Sequence, residues 1–143
     1  MLTVQQVLNQ KQTNEIWHIR PDNTVYEAIQ VMATKKVGAL LVMKGVALKG
    51  IISERDYARE VILKGHSSTD TRVDDIMSSN VISVSSSESV EASLAVMTDN
   101  HIRHLPIVDE NIVIGVLSLG DLVKTIINDQ QSTIQQLESY IRG

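Results

Sequence analysis

Gly50-Ile51-Ile52-Ser53-Glu54-Arg55-Asp56 returns further along the chain as Gly115-Val116-Leu117-Ser118-Leu119-Gly120-Asp121. The spacing is 65 for the Gly, the Ser and the Asp alike (115 − 50, 118 − 53, 121 − 56). Working outward, the same offset pairs Val25 with Val90, Val31 with Val96, Met32 with Met97 and Leu40 with Leu105. On the far side it pairs Val61 with Ile126 and Ile62 with Ile127. One offset shared by apolar and polar positions means two copies of one structural unit. Two copies are too few for a solenoid, so they are expected to pack against each other as a pair.

Each copy reads as strand–helix–strand–strand–helix. In the first, Ile16-Trp17-His18-Ile19 is a short strand candidate stopped by Pro21. Thr24-Val25-Tyr26-Glu27 fits a capping box, and Val25, Ala28, Ile29 and Met32 form the apolar stripe of a helix. Val37 to Met43 and Val46 to Ile52 are strand-length runs joined by the turn Lys44-Gly45, a hairpin. A closing helix from Ser53 to Leu63 ends at Gly65 as its C-cap. The second copy repeats this with Val81 to Val84, a helix from Ser89, Leu105 to Val108, Ile112 to Leu117 and a helix from Ser118. A lead-in helix over Met1 to Leu8 precedes a polar loop from Lys11 to Glu15. Ser67 to Asp70 is a loop between the copies, followed by a short turn carrying Val73, Ile76 and Met77. After Ile127, Asn128 to Ser132 breaks the pattern, and Ile134, Leu137 and Ile141 mark a last amphipathic helix. The expected division is residues 1–70, first repeat with the N-terminal helix, and 71–143, second repeat with the C-terminal one. Tyr57, Val61, Ile62 and Leu122, Val123, Ile126, Ile127 are apolar around more than one helix face, which predicts a self-association surface.

Composition excludes several classes of function. A net charge of −4 over 143 residues argues against a phosphate-backbone footprint. With no Phe, one Trp and three Tyr, a stacking platform for single-stranded nucleic acid is not expected. No apolar run reaches about 18 residues, and no basic stretch opens an apolar one at the N-terminus. Zero cysteines removes disulfides, thiol catalysis and cysteine zinc sites, and suits a reducing compartment. The expectation is a soluble, cytoplasmic protein that buries roughly two-thirds of its unfolded surface.

In Gly-x-x-Ser-x-x-Asp the Gly permits close approach of another backbone, and the Ser takes a helix N-cap. The Asp lies in the first helical turn, where the helix dipole favours a carboxylate. A capping box alone explains any single instance. Its duplication behind two hairpin strands invites a second reading: helix amides for a phosphate and a carboxylate for two ribose hydroxyls.

On this duplicated motif, on Ile102-Arg103-His104-Leu105-Pro106-Ile107-Val108, and on Ile76-Met77 with Val81-Ile82-Ser83-Val84, the chain resembles a tandem cystathionine-β-synthase-type (CBS) domain pair, a Bateman module. Glu54-Arg55-Asp56-Tyr57 and Thr133-Ile134-Gln135-Gln136-Leu137 resemble small stand-alone bacterial pairs of that kind. The resemblance runs from about Val4 to Ile127 and implies an α+β fold of two βαββα repeats packed by pseudo-twofold symmetry. It further implies inter-repeat clefts for an adenosine ligand: AMP first, with ADP, ATP or NAD (or S-adenosylmethionine) as alternatives. By position, Asp56 and Asp121 would hold ribose hydroxyls, with Ser53, Ser118, Arg103, His104 and Arg55 near phosphate. Leu105 and Pro106 would press on adenine. Ile16, Trp17, Val37, Gly38, Ala39, Ile82, Ser83 and Ile102 would line the cleft.

The copies differ where charge matters. Ile102-Arg103-His104 stands against Val37-Gly38-Ala39, which has no cation. Charge-assisted bonds to phosphate are about twice as strong as neutral ones. The two clefts should therefore differ in affinity or ligand unless Lys36, Arg55 or Arg59 supplies the charge. Which carboxylate shares a cleft with Arg103 and His104 stays open at the sequence level. His101 and His104 lack a third ligand nearby, so no metal is expected. No nucleophile, base and orienting group stand together, so no catalytic residue and no catalytic cofactor is expected. The functional expectation is a homodimeric, non-enzymatic nucleotide sensor acting on an unknown regulated protein. The alternative is a ligand-independent dimerisation scaffold.

Overall fold

Hydroxyl side chains ahead of apolar stripes start the first long helix of each repeat. In the computed structural model, which describes residues 2–11 and 16–142, Thr24 Oγ1 accepts the Glu27 N–H and Glu27 reaches back to the Thr24 N–H. Ser89 Oγ accepts from Ala92 N–H in the same way. The elements are α1 (Val4–Gln10), β1 (His18–Ile19), α2 (Val25–Lys35), β2 (Ala39–Lys44), β3 (Ala47–Ser53) and α3 (Glu54–Tyr57), which runs into a π-turn at Ala58–Ile62. There follow α4 (Val73–Ile76), α5 (Val90–Asn100), β4 (His104–Asp109), β5 (Ile112–Ser118) and α6 (Leu119–Arg142). The strand–helix–strand–strand–helix order of the first repeat is as expected. Residues 12–15 of the expected loop, and Met1 of the expected lead-in helix, lie outside the described residues.

The chain forms two units. One comprises Glu15–Ile82 with Glu110–Val113, the other Met1–Asn14, Ser83–Asp109 and Ile114–Gly143. In the first, β1 pairs parallel with β2 and β2 pairs antiparallel with β3, with Leu40 opposite Ile52 and a bulge at Val42/Met43. Its core is Val25, Ala28, Met32, Leu40, Val42, Ile52, Val61 and Val73. In the second, β4 and β5 form the sheet, and Val90, Met97, Leu105, Ile107, Leu117 and Leu122 are buried. These residues are the 65-offset partners of Val25, Met32, Leu40, Val42, Ile52 and Tyr57. Ser93, the partner of Ala28, is fully buried and satisfies its hydroxyl on the Ser89 carbonyl at 2.9 Å.

Three expectations need correction. Val81 to Val84 does not form a strand: only Val84 pairs, bridging to Ile107. Leu41 of the first repeat donates its N–H to the Trp17 carbonyl at 3.2 Å, extending the β1–β2 ladder. The residue 65 further on is Pro106, which has no N–H to donate, so pairing stops at one bridge. Similarly, Ile16 and Trp17 precede β1 rather than belonging to it. Last, Asn128 to Ser132 does not interrupt α6, which continues through 24 residues. That stretch holds polar residues but no Gly or Pro, and once anchored at Ser118 the helix has no reason to stop.

The lead-in helix packs where its sequence position does not suggest. α1 precedes the first repeat yet belongs to the unit of the second, its Val4 and Gln5 N–H groups bonding to the Glu88 and Ser86 carbonyls. α4 precedes the second repeat yet belongs to the unit of the first, with Val73 N–H bonded to the Asn23 carbonyl.

Candidate functional site

Each Gly-x-x-Ser-x-x-Asp turn forms where a hairpin strand passes into a helix. In the first unit Asp56 Oδ2 accepts from Ser53 N–H at 2.9 Å and from Ser53 Oγ at 3.0 Å, while Ser53 Oγ accepts from Asp56 N–H at 3.2 Å. In the second, Asp121 Oδ2 accepts from Ser118 N–H at 2.9 Å and Ser118 Oγ accepts from Asp121 N–H at 3.0 Å. Both carboxylates are half-buried, and in both the hydrogen bonds from Ser engage only Oδ2.

The glycines earn their place by close approach. A Cβ on Gly50 would lie 2.7 Å from Met77 Sδ and 2.7 Å from the Ser78 carbonyl oxygen, because Ile51 and Ser78 exchange two backbone bonds there. A Cβ on Gly115 would lie 2.6 Å from Leu8 Cδ2 of α1.

One further backbone bond assembles each site. Glu54 N–H donates to the Gly38 carbonyl at 3.0 Å, and Leu119 N–H donates to the Arg103 carbonyl at 2.8 Å. Both donor and acceptor are 65 apart between the copies (119 − 54, 103 − 38). Within the first unit, therefore, Val37-Gly38-Ala39 stands beside Ser53 and Asp56. Within the second, Ile102-Arg103-His104 stands beside Ser118 and Asp121. Arg55, Gly38, Arg103, His104 and Ser83 are exposed, while Ile16, Trp17, Val37, Ala39, Ile82 and Ile102 are half-buried. Trp17 packs on the core, and Lys35 Nζ sits 4.6 Å from its ring centroid, a cation–π contact. Leu105 and Pro106 are buried, Leu105 completely, so the Leu105 side chain serves the core and offers no surface to a ligand.

Lys11 is the residue that sequence reading missed. Its Nζ lies 3.0 Å from Asp121 Oδ2 and 3.0 Å from the Val116 carbonyl oxygen. With Asp121 it lines a cavity of about 630 Å³, together with Val7, Gln10, Lys124, Thr125 and Asn128. The one available signal was a second offset. Val4, Val7 and Leu8 match Val73, Ile76 and Met77 at 69, not 65, and Lys11 then falls where the other copy has Asn80. The cationic asymmetry between the copies is thus larger than Arg103 and His104 alone suggest.

The charges are coupled. Burial opposes ionisation of Asp121, but the Ser118 amide and the Lys11 ammonium outweigh it and hold the carboxyl below its ordinary range. Desolvation pushes the His104 imidazole below its ordinary value; Asp121 opposes this, and Lys11 and Arg103 reinforce it. His101 plays a structural part, closing α5 in the left-handed conformation at φ 54°, as Lys36 closes α2 at φ 57°. Among the described residues no three of His, Asp and Glu gather as a metal site, and no helix is long and apolar enough to cross a membrane.

The arrangement can accept hydroxyls at Oδ1 of Asp56 or Asp121, which the Ser caps do not use, and can oppose an anion with Arg103, Lys11 and Lys124. A mitochondrial CBS domain-containing protein of Arabidopsis thaliana is 42% identical over 127 residues, covering 85% of this chain and 62% of that one. The chain thus spans less than two-thirds of that relative's length. A solved CBS-domain protein of Burkholderia ambifaria, assigned to signal transduction, is 45% identical with a TM-score of 0.81, covering 90% of this chain and 96% of that one. A hexameric CBS-CP12 protein from bloom-forming cyanobacteria is 26% identical with a TM-score of 0.70, covering 85% of this chain and 66% of that one. The family model for the CBS domain matches twice, at residues 7–63 and 73–128. With both repeats matched and the βαββα order in place in the first, the chain belongs to the CBS-domain family as a tandem pair.

Proposed function

We propose that this chain is a non-enzymatic regulatory module that binds an adenosine nucleotide, AMP before ADP, ATP or NAD, and passes its occupancy to a partner protein or to a second copy. The observation that carries this reading is the second-repeat cluster. Asp121 Oδ1 is not used by the Ser118 cap, while Arg103 and Lys11 gather cationic donors, and His104 an imidazole, around the same helix start. Asp56 and Ser53 offer the equivalent carboxylate and hydroxyl without those cations, so the two sites differ in phosphate affinity. Transmission is a shift between conformations in proportion to the ligand's differential affinity for them. The hexameric cyanobacterial relative supports self-association as part of the mechanism.

Thermal unfolding with AMP, ADP, ATP and NAD tests this. A nucleotide at about 100 times its Kd stabilises the folded protein by about 2.7 kcal/mol. The increment disappears in the Asp56→Ala/Asp121→Ala variant, read against that variant's own ligand-free baseline. No increment with any of the four nucleotides, or an undiminished one in the double variant, overturns the proposal.

One observation favours the scaffold alternative. Both Ser–Asp pairs are closed capping boxes, and Asp121 Oδ2 is further engaged by Lys11. Unchanged partner binding with and without nucleotide would select it.

A further inference from the structure

From Asn128 onward α6 is exposed along every described residue, yet its sequence keeps an apolar seam. Val123, Ile127, Gln130, Ile134, Leu137 and Ile141 follow at steps of 4, 3, 4, 3 and 4, the a/d spacing of a heptad. Ile134, Leu137 and Ile141 are 54%, 57% and 82% exposed. Such a stripe at the end of a fold is costly in water unless something covers it.

We propose that α6 is a dimerisation arm: two copies of this chain join through it as a parallel, in-register, two-stranded coiled coil. The seam is self-complementary in a specific way. Ile127, Ile134 and Ile141 fall at a and Leu137 at d, the arrangement that favours parallel pairs. Gln130 fixes the direction. In a parallel in-register pair it meets its own copy, and two side-chain amides satisfy each other as donor and acceptor. In an antiparallel pair centred on the seam, with Val123 against Ile141, Gln130 faces Ile134, and its buried amide goes unpartnered. The flanking positions Gln131, Thr133, Glu138 and Tyr140 place no like charges across the parallel interface. A membrane surface fits worse: between 128 and 142 the helix carries Asp129, Glu138 and Arg142 and no Lys, the wrong polar face for anionic lipid. The seam does not depend on nucleotide binding, so either proposal can fail alone.

Sedimentation of the full chain over a concentration series tests it. The wild type dimerises, and Ile134→Asp/Leu137→Asp raises the dissociation constant by roughly a hundredfold or more. Ser132→Asp/Ser139→Asp, on the opposite face, leaves it unchanged and controls for added charge. Because the chain has no cysteine, Ile141→Cys reports orientation directly: oxidation cross-links the parallel dimer through that one position. A dimer unaffected by the seam variant overturns the proposal. So does a dimer that Ile141→Cys does not cross-link, or a wild-type chain that stays monomeric, whether or not it floats with phosphatidylserine vesicles.

Discussion

At the residue scale, Lys11 links the two titrating groups beside the second Ser–Asp turn. It bonds Asp121 directly and repels a proton from His104. Replacing it by Met therefore moves both pKa values upward: Asp121 loses its cationic partner, and His104 keeps the attraction of Asp121 without the opposing ammonium. Histidine ring resonances followed through a pH titration read the His104 shift. The partly exposed ion pair itself contributes only about 0.5–1 kcal/mol, so the variant stays folded. Both depressed pKa values make acid unfavourable to the fold, in separate windows. For His104 the unfolded chain takes up a proton first, so stability falls as pH drops below the ordinary value of 6.5. For Asp121 the stabilisation is present above the ordinary 3.8 and is lost as pH falls through the folded-state value. His104→Gln should thus flatten Tm against pH between about 7 and 5 and leave the fall below about pH 4 intact. An unchanged slope between 7 and 5 would mean that His104 is not the group responsible.

At the element scale, what was legible followed local chemistry. Thr24, Ser89, Ser53 and Ser118 announced helix starts because a hydroxyl satisfies orphan amides wherever it stands, and all four do so. The failures came where one residue changes what a pattern can do. Val81 to Val84 has strand composition, but the strand also needs a neighbour with donors, and Pro106 withholds one. Asn128 to Ser132 has turn composition, but composition without Gly or Pro does not end a helix already propagating. The first of these is testable. Pro106→Leu, the residue that position 41 carries in the first repeat, restores an N–H at the strand. The gain of one hydrogen bond, about 0.5–1.5 kcal/mol, is offset by about 0.4–1 kcal/mol of lost proline rigidity. Net stability should stay within about 1 kcal/mol of wild type, while amide 106 exchanges slowly with deuterium. A fast-exchanging amide 106 would show that something other than the missing donor ends the ladder.

At the scale of the whole molecule, the 65-residue repeat hides the placement of the lead-in helices, which repeat at 69. α1 and the segment following α4 each cover the glycine of the repeat that the chain enters only later or has already left: Leu8 over Gly115, Met77 and Ser78 over Gly50. The sequence shows both helices but not this exchange, because the apolar residues of either would suit either unit. The two glycine contacts differ in what opposes a side chain. Above Gly115 the near atom is Cδ2 at the tip of Leu8; above Gly50 it is both Met77 Sδ and a backbone oxygen tied into the Ile51–Ser78 bridge. A side-chain tip can give way, whereas a hydrogen-bonded carbonyl cannot move without breaking its bridge. Gly115→Ala should accordingly cost about 1 kcal/mol and Gly50→Ala about 3 kcal/mol, the two ends of the overpacking range. Leu8→Ala alone should cost about 2–4 kcal/mol, since Leu8 is buried. Combined with Gly115→Ala it should cost at least about 1 kcal/mol less than the sum, because the added methyl occupies part of the space vacated. Met77→Ala should give Gly50→Ala no comparable relief, the Ser78 oxygen remaining in place. Urea unfolding of the two double-mutant cycles measures both couplings. Equal coupling in the two cycles would refute the distinction, and no coupling in either would remove α1 from its place over the second repeat.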